Sequence, residues 1–371
     1  MITKSAVLEA TAYKSPLHEM TQTTATRLWN DSAASSELLY SIEHGATGAT
    51  CNPVIVLDVL KKERDVWDER IRSLATEMPR ATEDQIAWRV VEEISMNGAK
   101  LLRPIFDREE GKNGRLSIQT DSRYYRDSRA MQAQALAFHE LSPNMIVKIA
   151  VTEAGLAAIE EVTFQGVSIN ATVCFSLPQC LAVAEAVERG LRRRESENKD
   201  IAGMGSVCTI MVGRLDDWLK LLMEKKDIAI DPGYLEWAGV AVFKKTYKIF
   251  RERGYRIRLL SAAFRNHMHW SELIGGDIVI SPPYKWQLRF NASDVKVTPR
   301  IDKPVNPTVV ADLLRKFPDF EHAYNEGGLS PWEFDTFAPT VRTLRQFIEG
   351  CHNLAGYVRD VLLPNPDNLH T

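Results

Sequence analysis

Residues 144–175 read NMIVKIAVTEAGLAAIEEVTFQGVSINATVCF. A short apolar run (NMIVKIAV) is followed by a stretch with helical apolar spacing (EAGLAAIEEVTFQG) and then a second short run (SINATVCF). This pattern predicts strand, helix, strand, with the strands parallel. The alternation extends in both directions. TRLWNDSAA (26–34), GATCNP (48–53) and RLSIQTDSR (115–123) read as earlier strands; GSVCTIMV (205–212), RIRLLSAAF (256–264) and DIVISPP (277–283) read as later ones. Helical patterns separate nearly all of them, the longest running from Pro53 to about residue 102. Eight strands alternating with helices predict an α/β chain, and eight units fit a (β/α)8 TIM barrel. A doubly wound open sheet is the competing arrangement, but no GxGxxG or GxxxxGK turn follows any strand.

Past about residue 300 the texture changes. RIDKPVNPTVV is proline-rich, and Val341, Leu344, Phe347, Ile348, Cys351, Leu354, Val358 and Val361 mark one helical stripe. We read residues 1–300 as the barrel and 301–371 as a C-terminal helical extension packed on it. The 371 residues are 44% hydrophobic, enough for a large core, and the net charge of −3 gives no global pull toward nucleic acid or anionic membrane. No stretch approaches the roughly 20 apolar residues of a membrane span, and the N-terminus lacks a signal-type run. Five cysteines without a CxxC pair suit reduced thiols, so the expected address is the cytoplasm.

Lys148 stands in the middle of an otherwise apolar strand. Alternation puts Met145, Val147, Ile149 and Val151 on one face and Ile146, Lys148, Ala150 and Thr152 on the other. Lys148 comes late in the strand, toward the carboxyl end where barrels build their sites. It has two readings: a structural lysine paired with a carboxylate from a neighbouring strand, or a desolvated amine that attacks a ketone and forms an imine. Other polar residues fall at the same rim: Asp31, Asn52, Gln119, Asp121, Asn170, Thr172 and Thr209 at strand ends, and Arg214 and Arg265 just beyond strands six and seven. Each alone is an ordinary cap or turn residue; together they outline a site.

These segments resemble the transaldolase family of class I aldolases, whose superfamily includes the fructose-6-phosphate aldolases. LWNDSA (28–33) is similar to the first strand with its aspartate, and GATCNP to a TTNP turn. IVKIAVTEAGLAAIEEVTFQGVSINATVCFSLPQ matches the lysine strand, its helix and an NxTxxFS strand; VGRLDDW and AAFRN match two arginine segments. The resemblance runs in order from about residue 26 to 285. It implies a barrel that moves a dihydroxyacetone unit between sugar phosphates with no metal or organic cofactor. It also implies residue roles. Lys148 would form the Schiff base, Asp31 would act as acid and base, and Thr172 with Gln119 would hold a water. Asn52, Asn170 and Thr209 would contact the sugar, and Arg214 and Arg265 its phosphate. The expected partner is a small sugar or sugar phosphate, not nucleic acid or membrane; a homo-oligomer is left open.

The chain departs from the family pattern at three places. Gln119 stands where transaldolases generally carry glutamate, Met211 where fructose-6-phosphate aldolases use tyrosine, and Ala263 where a serine often helps hold phosphate. HMHWSELIGGDIVISPPYKWQLRF adds aromatic and basic groups near the rim, with His267 and His269 two residues apart and no carboxylate or cysteine cluster beside them. Tyr124 and Tyr125 are expected to pack on the barrel. The competing readings are a sugar-phosphate-binding or interaction protein on a retained scaffold, and a barrel enzyme holding pyridoxal phosphate through Lys148.

Overall fold

The computed structural model describes residues 13–368. Eight strands form the sheet: β1 (Arg27–Asn30), β2 (Ala46–Thr50), β3 (Arg115–Gln119), β4 (Met145–Ala150), β5 (Ile169–Cys174), β6 (Val207–Ile210), β7 (Arg258–Ala262) and β8 (Val279–Ser281). They close into a barrel in which every neighbouring pair, including β8 with β1, is parallel. The expected (β/α)8 fold is the observed one, and the open sheet is ruled out.

The alternation in β4 has a direct structural counterpart. Met145, Val147 and Ile149 join the main core, whereas Ile146 joins Trp29, Val207, Leu260, Ala262 and Val279 in a separate apolar cluster, the barrel's inner filling. Gly48 makes room for it, since a Cβ there would lie 2.5 Å from the Trp29 indole. Lys148 and Thr209 stand two positions beyond Ile146 and Val207, so polar side chains begin where the apolar filling ends.

The region read as helical from Pro53 onward is three helices, Pro53–Lys62, Arg64–Glu77 and Glu83–Arg108. The last starts with a reciprocal cap: Gln85 N donates to Thr82 Oγ1 (3.2 Å) and Thr82 N to Gln85 Oε1 (2.8 Å). After the barrel come helices Pro307–Lys316 and Pro318–Tyr324, then the long helix Ala338–Leu362. That long helix packs against all three helices of the Pro53–Arg108 region. Of its expected stripe, Leu344, Phe347, Cys351, Leu354, Val358 and Val361 are buried, while Val341 is exposed and Ile348 is partly so. Gly350 permits the closest approach, since a Cβ there would meet Val54 Cγ2 at 2.5 Å. The division expected at residue 300 takes in residues 1–12 and 369–371, which lie outside the described residues. No helix among the described residues is long and apolar enough to cross a membrane.

Candidate active site

The TEAG turn after β4 is built by local hydrogen bonding and by size. Thr152 Oγ1 accepts from Gly155 N (2.9 Å), capping helix Glu153–Gln165, and donates to Tyr125 O (2.7 Å). Any Cβ on Gly155 would sit 1.9 Å from Ala150 O, so only glycine lets the helix start this close to the strand. At the end of β5 the register shifts, and Val173 takes the left-handed region (φ 57°). Gln179 ties this end down: its Oε1 accepts from Phe175 N (3.0 Å), and its Nε2 donates to Val173 O (3.2 Å) and to Thr340 Oγ1 (3.3 Å) on the long C-terminal helix.

Among the described residues two lysines are deeply buried, and they differ. Lys244 is 8% exposed, and its ammonium donates to Glu272 Oε2 (2.8 Å), Arg300 O (2.9 Å) and Lys303 O (2.9 Å). Such a group is fully satisfied and structural. Lys148 is 4% exposed, lines the main cavity, and has neither ion pair nor hydrogen bond among the described residues. Burial pulls its pKa below the usual lysine value, Asp31 and Cys51 oppose the shift, and Arg214 reinforces it. The Cys51 thiol is itself pushed up to about 11 by burial, so it stays neutral.

Around Lys148 the sheet register sets the neighbours. Gln119 pairs with Lys148 across β3 and β4, Lys148 with Asn170 across β4 and β5, and Ala150 with Thr172. Gln119 Nε2 donates to Ser122 Oγ (2.9 Å), but its Oε1 and Thr172 Oγ1 are buried without protein partners. Buried polar atoms left unpaired in this way are suited to a water or a ligand. Asp31 lies just past β1, half-buried, and accepts from Thr50 Oγ1 at 2.5 Å. Asn52 Oδ1 caps helix Pro53–Lys62 through Ile55 N (3.0 Å), and the residue lines the cavity. Asn170 and Thr209 are brought to the same interior but engage each other. Thr209 Oγ1 donates to Asn170 Oδ1 (2.6 Å), Asn170 Nδ2 donates to Ser117 Oγ (3.0 Å), and neither lines the cavity. Asp121 is committed to Arg123, whose Nε donates to it at 2.9 Å.

Arg214 and Arg265 reach the cavity from adjacent elements. Arg265 is paired with Asp217 (NH2 to Oδ2, 2.8 Å), and its NH1 donates to Ala263 O (3.1 Å), with Ala263 held at φ 63°. Arg214 lies beside Phe347, its guanidinium carbon 5.6 Å from the ring centroid, and donates to Gln346 Oε1. Burial and then Arg265 bring its pKa down to about 10, which leaves it a cation at neutral pH. His269 and Asp216, both fully buried, fix the Arg265 loop: His269 Nε2 lies 2.8 Å from Asp216 Oδ2, and His269 Nδ1 accepts from Arg265 N (3.1 Å). His267 instead meets Ser271 Oγ (3.1 Å), so the two histidines do not converge. Tyr124 is exposed and Tyr125 packs against the core; neither lines the cavity. Among the described residues, one group has ligand atoms close enough to hold a metal ion: the buried thiols of Cys174, Cys180 and Cys208, all within 4.8 Å of one another.

The cavity has a volume of about 820 Å³. Its floor and walls are barrel residues, including Asp31, Asn52, Lys148, Met211 and Ala263, but a large share of its lining is the C-terminal helix, with Arg345, Gln346, Phe347, Glu349, His352 and Asn353. The extension therefore roofs the carboxyl end of the barrel as well as packing beside it. In sequence these polar positions read as the solvated face opposite an apolar stripe, and no local signal marks them as a cavity wall.

The model of the Transaldolase/Fructose-6-phosphate aldolase family matches residues 28–322, the whole barrel and the first helices after it. The chain belongs to this family. Among curated relatives it is 35% identical over 207 residues to Transaldolase 1 of Streptomyces avermitilis, covering 55% of this chain and 54% of that protein. It is 33% identical over 171 residues to Transaldolase 2 of the same organism (46% and 45%) and 33% identical over 177 residues to the Transaldolase of Thermobifida fusca (47% of each). The chain thus spans about half the length of the curated relatives it matches. The family match ends before Ala338, so the helix that roofs the cavity lies outside it.

Proposed function

We propose that this protein is a Schiff-base aldol enzyme that cleaves a phosphorylated ketose and retains a dihydroxyacetone unit for transfer or release. The observation that carries the reading is Lys148: a lysine buried at a cavity wall with no partner among the described residues, where the other deeply buried lysine is fully paired. A structural lysine would be paired; a nucleophilic one is kept neutral and open to the cavity. The amine attacks the ketose carbonyl, and the carbinolamine loses water to give an iminium. Asp31 accepts the C4 hydroxyl proton, the C3–C4 electrons move into the iminium, and an aldehyde departs. The resulting enamine is either protonated and hydrolysed or adds to a second aldehyde, with Asp31 returning the proton. Thr172 and Gln119 orient the water through which protons reach and leave the nitrogen; Arg214 and Arg265 hold the phosphate, and Asn52 meets the three-carbon unit.

The reading is tested by incubating the protein with a panel of ketoses and ketose phosphates, reducing with borohydride and measuring the intact mass. A competent donor should add the mass of its reduced three-carbon or full-length adduct. A scaffold that only binds sugar phosphates would protect against heat yet trap nothing with any donor, and that outcome would reject the enzyme reading.

Gln119 carries a second expectation. Glutamine orients a water but takes no proton, whereas Gln119→Glu introduces a titrating group beside Ser122 and Lys148. The variant's rate profile should gain an ionisation that the wild type lacks. Superimposable profiles for the two proteins would show that position 119 does not touch the water.

A further inference from the structure

Arg342 and Thr343 lie on the helix beyond the family match, and with Arg214 and Arg265 they line a side cavity of about 80 Å³. The side cavity shares those two arginines with the main one. Three guanidiniums face it against a single carboxylate, Asp217, which Arg265 already occupies at 2.8 Å. Arg342 makes no ion pair among the described residues; its guanidinium sits 5.4 Å from the Trp218 ring centroid. Arg214 Nε is buried without a partner, and Thr343, itself buried, lines the same side cavity. Arg342 is close enough to Arg214 to oppose its charge, after burial and Arg265. Surplus positive charge with unspent donors, in a hole of this size, is suited to a small oxyanion.

We infer that Arg342 and Thr343 of the C-terminal helix complete the phosphate subsite, supplying a guanidinium and a hydroxyl where the barrel offers only Ala263. This rests on the phosphate reading of Arg214 and Arg265 and extends it to a helix outside the matched residues 28–322. A bound phosphate dianion then bridges barrel and helix, so phosphate occupancy and docking of the roof are linked. Selectivity for phosphorylated over plain ketoses becomes a property of the seam between the two.

The test uses the full chain and inorganic phosphate as probe, with Kd read by calorimetry and helix protection by hydrogen exchange. Arg342 is exposed, and Thr343→Val keeps the buried shape, so both variants should fold. Arg342→Ala should weaken phosphate about tenfold, the loss expected for one charge-assisted contact. Thr343→Val should weaken it by a smaller factor, and phosphate should protect helix amides from Ala338 to Gly350 in wild type but not in Arg342→Ala. If Arg214→Ala loses phosphate while Arg342→Ala and Thr343→Val keep wild-type Kd, the helix assignment fails and the barrel subsite stands. Wild type that takes up no inorganic phosphate rejects both. A lower melting temperature in Arg342→Ala with unchanged Kd assigns the arginine to packing and overturns the inference.

Discussion

Lys148→Ala should form no borohydride-stable adduct with any ketose that labels the wild-type protein, and peptide mapping of the wild type should put the added mass on Lys148. Removing the side chain takes away the one cavity-lining amine that has no partner among the described residues; Lys244, held by a carboxylate and two carbonyls, offers no free amine. The variant should fold, because Lys148 has no ion-pair or hydrogen-bond partner among the described residues for its removal to strand. The pH dependence has a definite sign. Burial lowers the Lys148 pKa, so the neutral, nucleophilic fraction grows as pH rises and saturates below the range of an ordinary lysine, about 10.4. The initial trapping rate should therefore rise with pH and level off below that value. A half-point at or above it, or an adduct mapped to another lysine, would remove Lys148 from the mechanism.

Asp31→Asn should separate the two halves of the reaction. The carboxylate is proposed to act after the iminium has formed, as base to the C4 hydroxyl, so the adduct should still trap while C–C cleavage falls by about 10²–10⁴. Asparagine preserves the local structure, since its Oδ1 can keep accepting from Thr50 Oγ1 as Asp31 does at 2.5 Å. Single-turnover measurements of adduct and released aldehyde on the same sample give both quantities. Cleavage at wild-type speed in a folded variant would show that another group takes the proton. Equal loss of trapping and cleavage would place Asp31 in imine formation, through its field on Lys148.

Lys148 stood out in the sequence because its signal is local. A charged group at the centre of an apolar strand contradicts its surroundings, and that contradiction is visible without coordinates. The alternation of short apolar runs with helical patterns likewise pointed to a parallel sheet wrapped by helices, because strand period, helix period and the hand of βαβ connections leave few other ways to bury both. The caps Asn52 and Thr152 are local in the same sense: each side chain accepts a backbone N–H three residues on. The Thr82–Gln85 box was equally local and marked a break within a region read as continuously helical.

What depended on distance along the chain was not legible. Whether Lys148 was paired was a question about every carboxylate in the molecule, and only the folded barrel left it unpartnered while giving Lys244 its three acceptors. Asn170 and Thr209 were placed at the rim, but that Thr209 would donate to Asn170 at 2.6 Å follows from the β5–β6 register. Cys174, Cys180 and Cys208 carry no spacing motif, and their sulfurs meet because two strands and a helix converge. The roof shows the same limit most plainly. The sequence by itself determined that Val341 to Val361 share one apolar stripe of a helix, since periodicity is a property of the helix alone. Tertiary structure decided that its polar face, with Arg342, Gln346 and His352, lines the cavities at the barrel mouth, because the direction of a face is set by where the helix docks.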